Sequence, residues 1–385
     1  MEHVVGRMGA CVLLKVRHER LGRRFLLKYL SPRASSKAFA AERFLKTARA
    51  AMGLKSENAA RTLDAGCLDS GLPFLVTEAF QGSELRDILR VRGALDPTEA
   101  IDFVLQAAHA LAEAHRHGLA HGSLSPSTLF VTPGADGLPL IKVLEFGCSA
   151  TLRDDVLATR LRRWTQGTAI FGESKQLWDT LAYSAPEQLR GLAEPTPAVD
   201  VWALGAVLYE TLTGAPPFSA PNAPALMAAI VADRPVAPRA LSSGLPRKLE
   251  ALVLRCLARS PEARFQSVSD FAAALRPFAS PERRVTVDRI GRIQAYDPQQ
   301  ASWSSSLPAP GRRGPSSQAA IARWPAARIF ARSLAQWRPL LLATLGALIG
   351  ALAGTYAAKR VATLAADPNP PLTSSAKASR QYVGR

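Results

Sequence analysis

Six short runs of this 385-residue chain hold side chains that could do chemistry. Lys28, in RRFLLKYL, is a cation inside an apolar run and could meet an anion such as a phosphate. HGSLSPSTLFV, from His121, offers hydroxyls at Ser123, Ser125 and Thr128. At neutral pH such hydroxyls form hydrogen bonds but do not accept a proton as a general base. Glu145, in IKVLEFG, is a carboxylate able to hold a cation or to pair with Lys28. Glu187, Asp200 and Arg264 are charges set within otherwise apolar or turn-rich runs. The cysteines Cys11, Cys67, Cys148 and Cys256 are scattered, with no C-x-x-C pair and no metal-ligand spacing, and read as reduced structural thiols.

The elements that must position these groups follow from periodicity. CVLLKV, RFLLKYL and PFLVTEAF are strand-like, and a helix-like stretch from Ser36 to Met52 interrupts them. From Asp96 onward the pattern turns helical: Ile101, Val104, Leu105, Ala108, Leu111 and Ala112 recur at 3.6 spacing, with Asp96 as cap and Pro97 in the first turn. A strand-rich front and a helix-rich back predict a two-lobed α+β domain with a cleft between the lobes.

Taken in order, these runs resemble the bacterial Ser/Thr protein kinase family. RRFLLKYL is similar to the strand bearing the kinase lysine, and HGSLSPSTLFV occupies the place of the catalytic loop H-R-D-L-K-P-x-N. IKVLEFG stands at the strand followed by D-F-G, AYSAPEQLRG at A-P-E, AVDVWALGAVLYETLTGAPPF at the helix after it, and CLARSPEARFQSVSDF at the last Arg-bearing segment. The resemblance covers nearly all of residues 5–275. It implies that Glu187 pairs with Arg264, that Asp200 holds the catalytic-loop backbone, and that Trp202, Leu204 and Leu208 pack the core.

The same resemblance marks what is missing. Phosphoryl transfer relies on positioning, metal ions and a carboxylate that takes the hydroxyl proton. Ser123 stands at the position of that carboxylate, and losing a general base typically costs ~10²–10⁴-fold. Gly122 replaces the preceding arginine, Ser125 the loop lysine, and Thr128 the metal-binding asparagine. Glu145 replaces the D-F-G aspartate with one more methylene, which makes it a weak metal candidate, since Mg²⁺ requires oxygens at ~2.0–2.1 Å in octahedral geometry. RFLKTARAA places Thr47 where the glutamate partner of the lysine belongs, and Glu42 lies on another helical face. No family catalytic position is intact.

The candidate ATP pocket consists of Gly6 and Gly9 in the degenerate glycine loop VVGRMGACV, Lys28, and the hinge residues Thr77, Glu78 and Ala79. Too few residues precede the loop for a complete first strand. Leu26, where the family has alanine at the adenine face, narrows the pocket. ATP with Mg²⁺ is therefore expected to bind weakly or not at all. The segment from Glu145 to Glu187, with Trp164 and Phe171, reads as a solvated loop or a partner-docking surface.

Net charge is +17, yet residues 1–280 hold only about +6, residues 281–338 about +7 and residues 359–385 about +4. That distribution suits a bilayer surface better than nucleic acid. Residues 281–338 read as a basic, Pro/Ser-rich juxtamembrane linker and 359–385 as a short tail. Between them, Pro339 to Ala358 is an uncharged run of 20 residues, the length that crosses about 30 Å of hydrocarbon as a helix. Gly346, Gly350 and Gly354 at four-residue spacing would allow a homodimer through this helix. No secretory signal is evident at the start. The resulting expectation is a single-pass protein of the inner membrane whose kinase-like domain (1–280) is cytoplasmic. That domain would be a pseudokinase that scaffolds or regulates a partner such as an active kinase. The alternative is a divergent, active Ser/Thr kinase working through Lys28 and Glu145.

Overall fold

The computed structural model describes residues 3–8, 11–18, 22–36, 40–146, 181–190 and 196–295. Glu145's downstream segment from 147 to 180, Gly9, and the whole of 296–385, including the uncharged run and its three glycines, lie outside the described residues. No described helix is long and apolar enough to cross a membrane.

The front of the chain forms a five-stranded antiparallel sheet in the order β1-β2-β3-β5-β4. Its strands are β1 (His3–Met8), β2 (Cys11–Arg17), β3 (Arg24–Leu30), β4 (Thr62–Cys67) and β5 (Pro73–Glu78). A first strand runs through the stretch read as the glycine loop: Met8 pairs with Cys11 and His3 with Lys15. The helix expected from Ser36 begins later. A single turn, α1 (Pro32–Ser35), ends with Ser36 as its cap, and α2 runs Ala40–Met52. Pro32 sits in the first turn of α1, where its missing N–H costs nothing. Phe44 and Ala48, one turn apart on α2, pack with Cys11, Leu30 and Leu75 as the core of this lobe.

In the helical lobe, α3 (Leu85–Arg92) precedes α4 (Pro97–Arg116), which starts as the sequence dictates. The Asp96 carboxylate accepts the Thr98 N–H at 2.8 Å, and Pro97 occupies the first turn. The six apolar residues of its periodic stripe are all buried. A second sheet, in the order β6-β7-β8 (Ser83–Glu84, Leu129–Pro133, Pro139–Val143), carries the loop 121–128 and Glu145 at the same end, because Leu129 pairs with Val143. The helices α5 (Pro186–Leu189), α6 (Pro197–Thr213), α7 (Ala223–Ala232), α8 (Pro238–Leu241), α9 (Arg247–Cys256) and α10 (Val268–Leu275) complete the lobe. α6 is apolar nearly all round because it is buried nearly all round, Trp202, Leu204 and Leu208 included. Gly205 lets α9 approach: a Cβ there would lie 2.3 Å from the Cys256 Cβ.

A boundary at 280 falls inside this packing. Residues Pro281–Ala295 form α11, which lies on α4 and α10 with Val287 and Ile290 buried. Asp102 of α4 accepts the Ser280 N–H at 3.2 Å, and Arg289 approaches Glu57 at 3.6 Å. The basic character of 281–338 hid a short amphipathic stretch at its start, so the folded domain reaches at least Ala295.

Candidate functional site

The loop expected to carry chemistry is held from below by Asp200, in the first turn of α6. Its carboxylate is fully buried and accepts the backbone N–H groups of His121 (2.8 Å) and Gly122 (2.7 Å), with the His115 Nε2 at 2.7 Å. Burial alone would raise its pKa, but the His115 hydrogen bond and the neighbouring backbone donors prevail and leave it below the ordinary carboxylate value. Asp200 is thus an acceptor spent on the backbone.

His121, also fully buried, donates from Nε2 to the Leu144 carbonyl at 2.7 Å, and its Nδ1 lies 3.3 Å from the Ser123 N–H. One nitrogen donating and the other accepting is the neutral imidazole. Burial, which disfavours the cation, pushes its pKa down. The Phe146 ring meets it edge-on at 5.1 Å.

The replacements expected from sequence occupy these positions. Thr128 Oγ1 accepts the Ser125 N–H and donates to the Ser125 carbonyl, both at 3.0 Å, while the Thr128 N–H bonds that same carbonyl. The threonine therefore closes its own loop. The Gly122 carbonyl receives the Gln188 Nε2 at 3.1 Å, which links the loop to α5. Ser123 is part-exposed and adds no carboxylate to the loop.

Lys28 and Glu145 come together although 117 residues apart. Lys28 Nζ lies 3.3 Å from Glu145 Oε1, and both side chains are below a tenth exposed. Glu145 has φ +68°, the one positive value among the described non-glycine residues. Its predecessor is pinned on both sides, since the Leu144 N–H donates to the Thr128 carbonyl at 2.8 Å and its own carbonyl takes His121. The Thr47 hydroxyl donates to the carbonyls of Arg43 (2.8 Å) and Phe44 (3.1 Å) of its own helix. Glu42 is exposed.

The hinge is more occupied than the sequence suggested. Thr77 is buried opposite Leu26 in the β3–β5 register, and both share the sheet face of Lys28 two residues along. The Glu78 N–H donates to the Arg61 carbonyl at 3.1 Å, and its carboxylate accepts the Arg61 N–H at 2.8 Å. Ala79 follows the end of β5 and is part-buried. Gly6 lies within β1, opposite Leu13, next to a register shift.

Among the described residues these donors do not make a complete Mg²⁺ site. The cation takes six oxygens in near-ideal octahedral geometry, usually with one or two carboxylates. Here one carboxylate is matched to a lysine and the hydroxyl beside it is closed on its own loop. Among the described residues there is no group of three acidic, histidine or cysteine side chains able to hold a metal.

Away from the cleft, Glu187 and Arg264 meet as the resemblance implied. The guanidinium donates twice to the carboxylate, at 2.7 and 2.8 Å, and also to the carbonyls of Ala258, Ala198 and Arg259. Arg264 is fully buried, 5.0 Å from the Trp202 ring, and Trp202 stacks on Phe218.

One polar cluster escaped the sequence reading. Glu113 of α4 accepts the N–H groups of Lys55 and Ser56, His109 Nδ1 contacts Ser56 Oγ and Asn58 Oδ1, and Asn58 donates to Gln106 and to the Ile141 carbonyl. It ties the segment between α2 and β4 to the helical lobe. The signal was present as polar residues at positions 106, 109 and 113 inside an apolar helix, spaced to share one face.

A strand-built lobe, a helical lobe and a loop clamped between a buried aspartate and an Arg-anchored segment define a protein-kinase fold. Residues 2–274 match the protein kinase domain model, and the chain belongs to that family. Serine/threonine-protein kinase PknB of Mycobacterium tuberculosis is 33% identical over 204 residues, 53% of this chain and 30% of the relative. A probable serine/threonine-protein kinase of Corynebacterium efficiens is 30% identical over 286 residues, 72% of this chain and 40% of the relative. The chain thus spans about a third of the length of the first of these and two fifths of the second. The crystal structure of the M. tuberculosis PknI kinase domain superposes with a TM-score of 0.53 at 23% identity, covering 72% of this chain and 94% of that one. Rad53 solved in complex with AMP-PNP gives a TM-score of 0.55 at 21% identity, covering 72% and 64%. Both likenesses concern the fold.

Proposed function

We propose that this protein is a catalytically impaired kinase, a pseudokinase, acting as a membrane-tethered scaffold or regulator in signalling. The observation that carries the reading is the loop 121–128. It retains its clamp on Asp200 but presents Ser123 where a proton-accepting carboxylate would stand. Ser125 offers no charge to a transferring phosphate, and the Thr128 hydroxyl is spent on Ser125.

ATP binding is weak or absent in this reading. Leu26 narrows the adenine face, Glu78 has committed its N–H to Arg61, and Lys28 carries a counter-charge within the protein. The uncharged run from Pro339 to Ala358 is the tether, with the folded domain on the cytoplasmic side of the inner membrane. Gly346, Gly350 and Gly354 are the face through which two copies associate. The partner is a protein, with an active kinase or another signalling component as the candidate class.

The test is transfer of the labelled γ-phosphate of ATP to the protein itself and to a generic basic substrate protein, with Mg²⁺ or Mn²⁺. The proposal expects no incorporation above a Lys28→Met control. Lys28-dependent incorporation would overturn it.

A further inference from the structure

We propose that helix α11 is the input arm of a relay that ends in the cleft: its seating on α4 fixes the segment 55–60, and that segment fixes Val143 and Leu144. The relay holds whether or not the cleft does chemistry, and so goes beyond the pseudokinase reading without resting on it.

The helix is held at its centre by apolar contact and at its edges by charge. Val287 and Ile290, three residues apart on one face, are buried against α4 and α10, and Ile293 is part-buried beyond them. Around this seam Arg276 meets Asp288 at 3.5 Å and Arg289 meets Glu57 at 3.6 Å. Arg283 reaches the carbonyl of Pro139, the first residue of β8, at 3.4 Å. Both ion pairs are about half exposed, and exposed pairs contribute little to stability. Two buried apolar side chains with solvated polar edges put α11 among the elements that open before the lobe as a whole.

The segment that α11 braces leads straight to the cleft. Glu57 lies between Ser56, whose N–H is taken by Glu113, and Asn58, whose side chain is bound to Gln106 and the Ile141 carbonyl. The Val143 N–H donates to the Asn58 carbonyl at 2.7 Å, and the Ala60 N–H donates to the Val143 carbonyl at 2.9 Å. Ala59 bridges Val143 in parallel. The next residue, Leu144, is tied to Thr128 through its N–H and to His121 through its carbonyl. The path from α11 to the loop 121–128 is therefore continuous.

Continuity alone transmits nothing, since coupling requires an element with two arrangements. Helix α11, seated or released, is that element. Residues 296–385 join the domain through Ala295, its last residue, so a restraint on that part of the chain acts on α11 first.

The experiment follows amide hydrogen exchange by mass spectrometry on the full chain in detergent. It compares the native protein with Ile290→Ala and with Asp288→Arg, which sets like charge against Arg276 and lies outside both relayed segments. Peptides covering 55–61 and 141–145 should exchange at least about tenfold faster in Ile290→Ala and about two- to fivefold faster in Asp288→Arg. Helix α7, which packs on α5, should keep its native rate. Acceleration confined to α11 and the faces of α4 and α10 beneath it would overturn the proposal. One equal factor in every peptide, α7 included, would overturn it too, because that is lost stability and no relay. If Ile290→Ala does not fold, the exposed Asp288→Arg decides by the same pattern.

Discussion

The anchor at Arg264 and the loop at Ser123 belong to one lobe, and both depend on buried charge, yet they have fared differently. At the anchor every donor of the guanidinium has an acceptor, and the carboxylate of Glu187 is met by two of them. At the loop the backbone is clamped by Asp200 with equal care, but the side chains it presents are Ser123, Ser125 and a self-closed Thr128. The difference separates two kinds of requirement that one fold ordinarily satisfies together. The anchor is built from paired charges, whereas the side chains that the loop presents at positions 123, 125 and 128 carry none.

The contrast makes predictions that can break it. The largest effect is expected at the anchor: Arg264→Met leaves Glu187 unpaired and should cost about 3–5 kcal/mol in urea unfolding. Ile290→Ala, on the helix beyond the expected boundary, should cost about 2–4 kcal/mol, since Ile290 is fully buried against α4 and α10. A loss near zero there would restore the boundary at 280. Thr128→Val keeps the shape but orphans the Ser125 N–H, and should cost about 1–2 kcal/mol by the same measurement. Within the cleft, Ser123→Ala should change stability by less than about 0.5 kcal/mol. Ser123→Asp combined with Thr128→Asn and Glu145→Asp should produce no phosphate transfer if ATP is not held; transfer by that triple variant would show that only the side chains, and not the pocket, were lost.

Acidification sharpens the same division. Burial lowers the pKa of both His109 and His121 below the ordinary histidine value of 6.5. Between the folded and ordinary values the unfolded chain binds more protons, so stability rises with pH there and falls as pH drops below about 6.5. Asp200 has the opposite kind of group but the same sense: its depressed pKa gives stability above the ordinary carboxylate value of 3.8 that is lost at still lower pH. Urea midpoints at pH 7.5 and 5.5 should therefore differ, and His109→Gln should flatten the slope.

Much of this was legible in the residues themselves. The α4 stripe and its Asp96 cap are local signals, read without tertiary help, and the ordered motifs located Lys28, Glu187, Asp200 and Arg264. Two features needed contacts that no local pattern contains. The strand His3–Met8 is defined by pairing with β2 and lies in the run read as a glycine loop. Helix α11 is rich in arginine, so composition assigned it to a linker, whereas burial of Val287 and Ile290 depends on the neighbouring α10 and on a face of α4, far away in sequence. The Lys28–Glu145 pair was one of two readings open to the lysine, and distance decided its geometry.

The five hydrogen bonds of Arg264 also bear on the order in which the lobe assembles. Their acceptors come from residues 187, 198, 258 and 259, so the nearest lie five or six residues away and the others more than sixty. Such a cluster of distant acceptors can be satisfied only after the intervening chain has closed, and interactions absent from the transition state govern escape from the native basin more than entry into it. Arg264→Met should therefore speed unfolding in a denaturant jump by far more than it slows refolding, making this residue a keeper of the lobe's lifetime.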